Sequence, residues 1–517
     1  MRTKFIGIFL LLSQFSFSQN LPPDITALWS GTGITGTART VGSAGAYGSV
    51  GADMGCISVN PAGLGLYRST DFSITPLVQV GNNETVYDGN HTTVHRPVFY
   101  LGQGGFVFTK LFKKADNDQG SGRPVRSFSF ALNFQEQNIF DRSQRYGATN
   151  TTQSLIDGYV SQLNSYGLPI SNFPPEVQVA GFTNLLGQNA NGSYYSNVKA
   201  PVVQAGDIES RGGINRIDAA FGLNFLDKFY IGVDLAVPIL GYNLSTTITE
   251  TPVTPQANQI SDYSINTVVA ESGYGFNGII GLIYRPFKWM RVGAAYHLPS
   301  WYAMNESYTL NFNEDSSNVN TSGPLPLPDF QYSLRTPMKG DFSASFFYKD
   351  LGFLSVDYDM QNLGASRIHV PNDSLGFEPY YNQQIKSTYK LTHTIHAGVE
   401  GAIKIVRLRA GYAFSSSPYK TGQEITPGYT GAKNAFTAGI GIRLKHFYVD
   451  AAYIYAWSKD ASYQLTNVLP VNSIYNTSTV LLTLGWRFEA GAKNNTQQKT
   501  QQQRRYTPPP VDNDQRY

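Results

Sequence analysis

The sequence predicts an all-β fold: a 14-stranded antiparallel transmembrane β-barrel with an N-terminal luminal hatch. Composition is the first observation behind this. Charged residues are 15% of the chain and aromatics 13%, with 50 glycines in 517 residues. That is too few charges for an ordinary soluble surface, about 25% being usual, and too many aromatics for disorder. Period-two alternation is the second. Phe229, Ile231, Val233, Leu235 and Val237 alternate with Tyr230, Gly232, Asp234 and Ala236, and the pattern recurs at 128–134, 354–360, 406–412 and 447–453, so one face of each segment is apolar. The third is the rhythm of the connections, where tight turns alternate with long loops as in outer-membrane barrels.

Taken in chain order, Arg2 and Lys4 precede the apolar run Phe5 to Leu12, and Ser16 and Ser18 flank a cleavage point before Gln19. Residues 1–18 are therefore expected to be a secretory signal peptide, whose two cations take the net charge from +3 to +1 when removed. No later stretch is long and apolar enough for a membrane helix. Residues 19–69 lack alternation but are dense in small residues, from Gly42 to Gly51 and from Asn60 to Leu64. Such a segment ahead of an even-stranded barrel is expected to fold back as a plug, since a barrel this wide otherwise holds water. The barrel spans 70–488, with strands read near 70–80, 97–110, 126–140, 213–225, 228–248, 264–285, 289–313, 328–348, 351–370, 384–402, 405–418, 434–444, 447–459 and 476–488. Tight turns fall at 226–228, 286–288, 349–350, 403–404 and 445–446. Long loops fall at 81–96, 141–212, 249–263, 314–327, 371–383, 419–433 and 460–475, while the long 111–125 connection lies on the turn side. Residues 489–517, rich in Gln, Asn and Pro, are expected to be a disordered periplasmic tail.

Other chemistry is weak. Near-zero net charge gives no basic field for nucleic acid, and one cysteine excludes a disulfide framework. Gly31 to Gly36 fits G-x-G-x-x-G without a preceding strand. His393 and His396 face opposite sides of a strand and cannot share a metal. No metal, cofactor or catalytic group is assigned, and the protein is not expected to be an enzyme. The charges Asp218, Asp234, Arg291, Lys339, Asp341, Asp357, Asp359, Glu400, Arg407, Arg409, Arg443, Asp450 and Arg487 are expected to face the lumen and pair across it.

The run from Gly36 to Gly48, with Asp53 and Ser58-Val-Asn-Pro-Ala-Gly-Leu64, resembles the hatch of the FadL/TodX family of outer-membrane hydrophobic-compound transporters. Weaker fragments agree, among them His297-Leu-Pro-Ser-Trp-Tyr302 and Arg409-Ala-Gly-Tyr-Ala-Phe414, so the likeness spans roughly 36–488. It implies a 14-stranded barrel in the bacterial outer membrane, with lipid and lipopolysaccharide around it and its C-terminus in the periplasm. The implied activity is passive uptake of long-chain fatty acids or aromatic hydrocarbons through a luminal pocket and a lateral opening. Asn60, Pro61 and Ala62 match the hatch motif that approaches a kinked wall in the family; they also suit a simple turn into the first strand. Arg407, Arg409 and Arg443 are candidate partners of a substrate carboxylate. Within 141–212, Thr151 to Tyr166 and Pro175 to Leu186 are helical candidates. Ile156, Tyr159, Phe182, Leu185 and Leu186 either line a groove that captures substrate or pack the helices on a core of their own. Two further readings are a docking protein for secreted partners and a haem or other apolar-ligand receptor. A monomer is expected.

Overall fold

The computed structural model describes residues 29–31, 33–112, 124–150, 152–167, 169–170, 173, 175–183, 185–254, 262–315, 323–326, 329–373, 376–462 and 470–489. The predicted signal peptide, hatch residues 19–28, most of the 111–125 connection and the tail from residue 490 lie outside them.

Fourteen antiparallel strands form one closed sheet. They are β1 Ser69–Tyr87, β2 Asn90–Leu111, β3 Val125–Ile139 continued by Arg142–Asn150, β4 Val202–Phe225, β5 Phe229–Pro252, β6 Asp262–Phe287, β7 Met290–His297 and Trp301–Asp315, β8 Phe330–Arg335 and Lys339–Phe347, β9 Gly352–Asn362, β10 Leu391–Ile403, β11 Val406–Ser415, β12 Lys433–Arg443, β13 Phe447–Ser462 and β14 Val471–Glu489. Pairing of β1 with β14, from Ser69↔Glu489 to Val86↔Asn472, closes the ring and leaves no edge. Alternation runs as the sequence predicts. Phe229, Ile231, Val233, Leu235 and Val237 are exposed, while Tyr230, Asp234 and Ala236 are buried. An outer surface of this kind is stable only against lipid, because a soluble protein buries so large an apolar patch.

The five tight turns fall where expected, and several strands reach further than expected. The predicted 81–96 loop is a two-residue hairpin: β1 and β2 pair through to Tyr87↔Asn90. The turn residues Asp88 (φ 47°) and Gly89 (φ 78°) both sit in the left-handed region. Asp-Gly is the sequence signal for such a turn, overlooked because the flanking residues are polar beyond the membrane. The predicted 141–212 loop likewise starts later, since Arg142–Asn150 pairs with the first half of β4. Strands of 24 to 26 residues, β4 to β6, stand beside ones of 10 to 13, β10 to β12. About 10 residues cross lipid, so the long side projects well beyond it.

On that projection sit α2 Leu155–Tyr166 and α3 Pro175–Phe182, α1 being the short hatch helix Ala38–Gly42. A Ser154 capping box starts α2 and Gly167 ends it in a left-handed turn. The predicted 371–383 loop and the start of the 384–402 strand are instead a helix, α4 Phe377–Thr388. Asp373 accepts hydrogen bonds from the Phe377 and Glu378 N–H groups at 2.8 and 2.7 Å. Phe377, Tyr381 and Ile385 repeat at four-residue spacing, a helical period that the strand reading ignored.

Candidate functional site

Three layers fill the lumen. At the loop end α4 inserts Tyr381 and Ile385 into a cluster with Ile214, Leu240, Tyr302 and Tyr332. At the turn end lies the hatch. Between the hatch and the barrel wall is a cavity lined by both.

The hatch is organised by one carboxylate. Asp53 accepts from the Thr37 hydroxyl at 2.5 Å, the Thr40 hydroxyl at 2.8 Å and the Gly55 N–H at 3.0 Å, which ties α1 to the following turn. Met54, Ile57 and Leu64 then pack on the inward-facing Val107, Ala131 and Ala220 of the wall. Elsewhere the hatch backbone lies directly on wall glycines. A Cβ at Gly222 would meet Gly65 N at 2.6 Å, at Gly232 Pro61 C at 2.2 Å, at Gly281 Ala62 N at 3.1 Å, at Gly398 Ser43 O at 2.4 Å and at Gly411 Ala44 N at 2.7 Å. This belt spans β4, β5, β6, β10 and β11, so the hatch is seated around the lumen and not at one point.

Asn60, Pro61 and Ala62 hold one arc of it. The Asn60 side chain caps a 3₁₀ turn over Pro61–Leu66, with Pro61 in its first turn. Its amide also donates to Gly48 O at 2.7 Å inside the hatch and to Leu282 O at 3.3 Å in β6. The motif thus both turns the chain toward β1 and couples the hatch to the wall. One residue earlier, Val59 O lies 3.1 Å from His297 Nε2, at the end of the first half of β7.

There the wall changes. β7 and β8 pair from Met290↔Phe346 to His297↔Lys339 and resume at Trp301↔Arg335. Residues 298–300 and 336–338 between them lie outside the ladder, and each segment contains a proline, Pro299 and Pro337, without an N–H to donate. β9 stops at the same level, where a 3₁₀ turn over Leu363–Ala365 replaces it before pairing resumes at Arg335↔Arg367. On the other side β6 sets only residues 277 and 278 between Ile279↔His297 and Phe276↔Trp301. The Asn277 amide bridges the break, donating to Leu298 O and Ser300 Oγ, both at 2.9 Å.

The cavity opens against this break. Trp29, Ile34, Thr35, Gly45 and Val59 of the hatch line one side, and Asn277, Leu298, Ser300 and Pro337 the other. It contains about 910 Å³ of atom-free space, part of it open to solvent. Its floor is charged. Arg216 pairs with Asp218 and Asp234, Lys339 Nζ donates to Asp359 at 3.0 Å, and Asp357 accepts the Gly48 N–H at 2.6 Å.

The luminal charges pair largely as expected. Arg409 is buried between Glu400 at 2.6 Å and Asp450 at 2.8 Å, with hatch Arg39 on the same Glu400 at 3.2 Å. Arg443 reaches Asp450 at 2.8 Å. Arg407 instead donates to Lys404 O and Val406 O in its own turn. These three arginines do not converge on the cavity, and Arg409 is already spanned by two carboxylates. Ile156, Tyr159, Leu185 and Leu186 are buried in a cluster with Val202, Ile248 and Phe312 of the projecting strands, whereas Phe182 is exposed. His393 and His396 fall on opposite faces, the first beside Tyr358 outside and the second beside Ala44 inside. Sequence reading missed the break residues Asn277 and Ser300; the repeated X-Pro at 298–299 and 336–337 in neighbouring strands was the available signal.

No protein-family model and no curated protein matches the sequence. Among solved structures, a FadL homologue of Pseudomonas aeruginosa is 12% identical, the likeness covering 89% of this chain and 99% of that one with a TM-score of 0.52. The toluene transporter TodX of Pseudomonas putida is also 12% identical, with 89% and 99% covered and a TM-score of 0.50. A closed 14-stranded antiparallel barrel is thus the fold this chain shares with the FadL and TodX structures.

Proposed function

We propose that the protein is an outer-membrane channel for passive uptake of small hydrophobic compounds, which reach the luminal cavity from outside and leave sideways through the break in β7 to β9. The break carries this reading: three neighbouring strands lose their ladder at one level, beside both the cavity and Asn60-Pro61-Ala62. A break in a lipid-facing wall strands backbone polar groups and is tolerated only where it faces protein or a cavity. A seated hatch blocks the straight route, which leaves the side. For an apolar solute that exit suffices, because the polar outer leaflet surface is its main barrier and the lipid interior is not. The TodX structure, a toluene transporter with the same fold, supports the substrate class.

The test is a reversible lock. Ser300 and Thr336 face each other across the break, with Thr336 N–H donating to Ser300 O at 2.9 Å. Ser300→Cys with Thr336→Cys, oxidised, is expected to stop uptake of labelled oleate and toluene into cells, and reduction to restore it. Unchanged uptake with the disulfide formed would refute exit at this break. No acceleration by the native protein across a panel of apolar solutes would refute transport itself.

A further inference from the structure

We infer that the turn end of the barrel carries an anion site for a phosphate group, built by Arg285 of β6 and Arg291 of β7. It is separate from the transport reading and does not rest on it. β6 and β7 pair as Phe287↔Met290 and then as Tyr284↔Val292, so Arg285 and Pro286 together oppose the single Arg291. A bulge of this kind re-aims the side chains around it. Ile283, two residues before Arg285, is buried with hatch Ala62 and with Tyr230. Gly293, two residues after Arg291, has Gly48 O of the hatch 2.6 Å from a built Cβ. Both arginines therefore face inward, across from each other. Like charges directly opposed on a sheet are destabilising.

No carboxylate pairs with either of them among the described residues. The Arg285 guanidinium has no hydrogen bond or ion pair there at all, its backbone N–H alone being engaged, by Lys228 O at 2.8 Å. Arg291 Nη1 donates to Val50 O of the hatch at 2.6 Å, and the guanidinium lies 4.3 Å from the centre of the Phe347 ring. Its Nη2 has no partner among the described residues and is not buried. Apart from the Tyr230 hydroxyl, the ionisable groups acting most strongly on Arg291 are Arg285, Arg68 and Arg39, all cations. Asp227, which also acts on Tyr230, is held by Arg68 at 2.7 Å. By contrast, Arg409, Arg443 and Arg487 each have a carboxylate. Arg285 and Arg291 are part-exposed and Lys228 is exposed beside them, so an ion reaches the pair from the turn end. Two facing guanidiniums present forked N–H donors that match phosphate oxygens. Lipid-facing Tyr284, Phe287 and Trp289 stand at the same level, where an outer-membrane wall meets head groups. The phosphate therefore has two sources, an anionic phospholipid head group and a dissolved ion.

Isothermal titration with inorganic phosphate uses the full chain in phosphatidylcholine nanodiscs and in nanodiscs that also contain phosphatidylglycerol, with empty nanodiscs of each kind as reference. Saturable binding is expected in the first, weakened at least about tenfold by Arg285→Gln, which removes a charged donor and no internal contact. Arg291→Lys keeps the charge and loses the fork, so its affinity should fall between the two. Arg407→Gln takes the same charge from another turn and should leave binding unchanged. Loss of the phosphate heat in the phosphatidylglycerol nanodiscs, with phosphorus NMR broadening of that lipid that Arg285→Gln abolishes, would assign the site to a head group. An undiminished heat there would assign it to the dissolved ion. Neither phosphate binding nor lipid broadening with the native protein would overturn the site. So would equal affinity of native and folded Arg285→Gln proteins, or equal weakening by Arg285→Gln and Arg407→Gln.

Discussion

If the hatch is fixed by close backbone contact, one methyl at each of two belt positions loosens it. Gly232→Ala and Gly411→Ala place new Cβ atoms 2.2 Å from Pro61 C and 2.7 Å from Ala44 N. Neither neighbour is the far end of a flexible side chain, so the backbone has to shift. Overpacking of this kind costs about 1–3 kcal/mol per site. The two sites touch different hatch segments, so their effects add to about 2–6 kcal/mol. At ~1.4 kcal/mol per decade the hatch is displaced roughly 30-fold to 10⁴-fold more often. The fold supplies its own control: Gly241 in β5 and Gly401 in β10 have nothing within 4 Å of a built Cβ, so Gly241→Ala with Gly401→Ala adds the same two methyls without touching the hatch. Single-channel conductance in planar bilayers reads the outcome, since a barrel of this width without its plug holds water. The belt pair is expected to show ion-conducting openings, and the control pair to stay as quiet as the native barrel. Equal conductance in the two pairs, with heat-modifiable migration proving closed barrels, would refute a hatch held by close contact.

Further outcomes follow from the same contacts. Asn60→Ala removes the cap on Ala62 N and the bond to Gly48 O, which costs about 1–3 kcal/mol and should raise protease access to the hatch without altering barrel migration. Glu400→Gln takes from Arg39 and Arg409 the carboxylate they share; breaking a buried pair costs ~3–5 kcal/mol, with the low end expected because Arg409 keeps Asp450, and the hatch melting transition should fall. Ile385→Ala, at a fully buried position, should lower thermal stability by about 2–5 kcal/mol and speed amide exchange in α4 over that in β10. Burial pushes the Glu176 carboxyl of α3 above its ordinary value, opposed by the Tyr308 hydroxyl that donates to it. An acid raised in the folded state binds more protons there than when unfolded, so stability of the outer helices falls as pH rises from about 4.3 through the folded value, and is flat above it. Amide exchange of α3 should show that loss in the native protein and lack it in Glu176→Gln.

The barrel was legible because a wall facing lipid leaves a strict period of two, which Phe229 to Val237 carry without interruption. Legibility failed where lipid no longer imposed it. Beyond the membrane β1 reads Gly81-Asn-Asn-Glu-Thr-Val-Tyr87 and pairs with β2 as far as the Asp88-Gly89 turn, yet polar residues on both faces hid the strand. Phe377 to Thr388 is rich in Tyr, Asn and Gln, which masked the four-residue spacing of Phe377, Tyr381 and Ile385, and packing of Tyr381 and Ile385 on the upper lumen makes that spacing visible. The hatch motif was visible as a string, but its function as a contact surface was not. Gly232, Gly281 and Gly411 are ordinary small residues in a strand until the hatch backbone is laid against them. Cavity residues were the least legible: Asn277, Ser300 and Thr336 lie far apart in sequence, and only the folded wall brings them to one break.

The order of the layers constrains how such a barrel could work. Apolar packing of α4 on Tyr302, Tyr332 and Leu240 occupies the loop end of the lumen, and the hatch on its glycine belt occupies the turn end. An apolar solute is at ease against the first layer and gains nothing from the charged floor over the second. Between them the cavity lining continues past Leu298 and Pro337, where the ladder is missing. The bonds that hold the break are the two that Asn277 donates, the Leu298 N–H to Gly278 O bond and the two between Ser300 and Thr336, each of modest net strength, ~0.5–1.5 kcal/mol. Displacing the hatch means undoing buried ion pairs and backbone contacts on several strands at once. On the proposed route, the sideways step asks for fewer broken contacts than displacement of the hatch does.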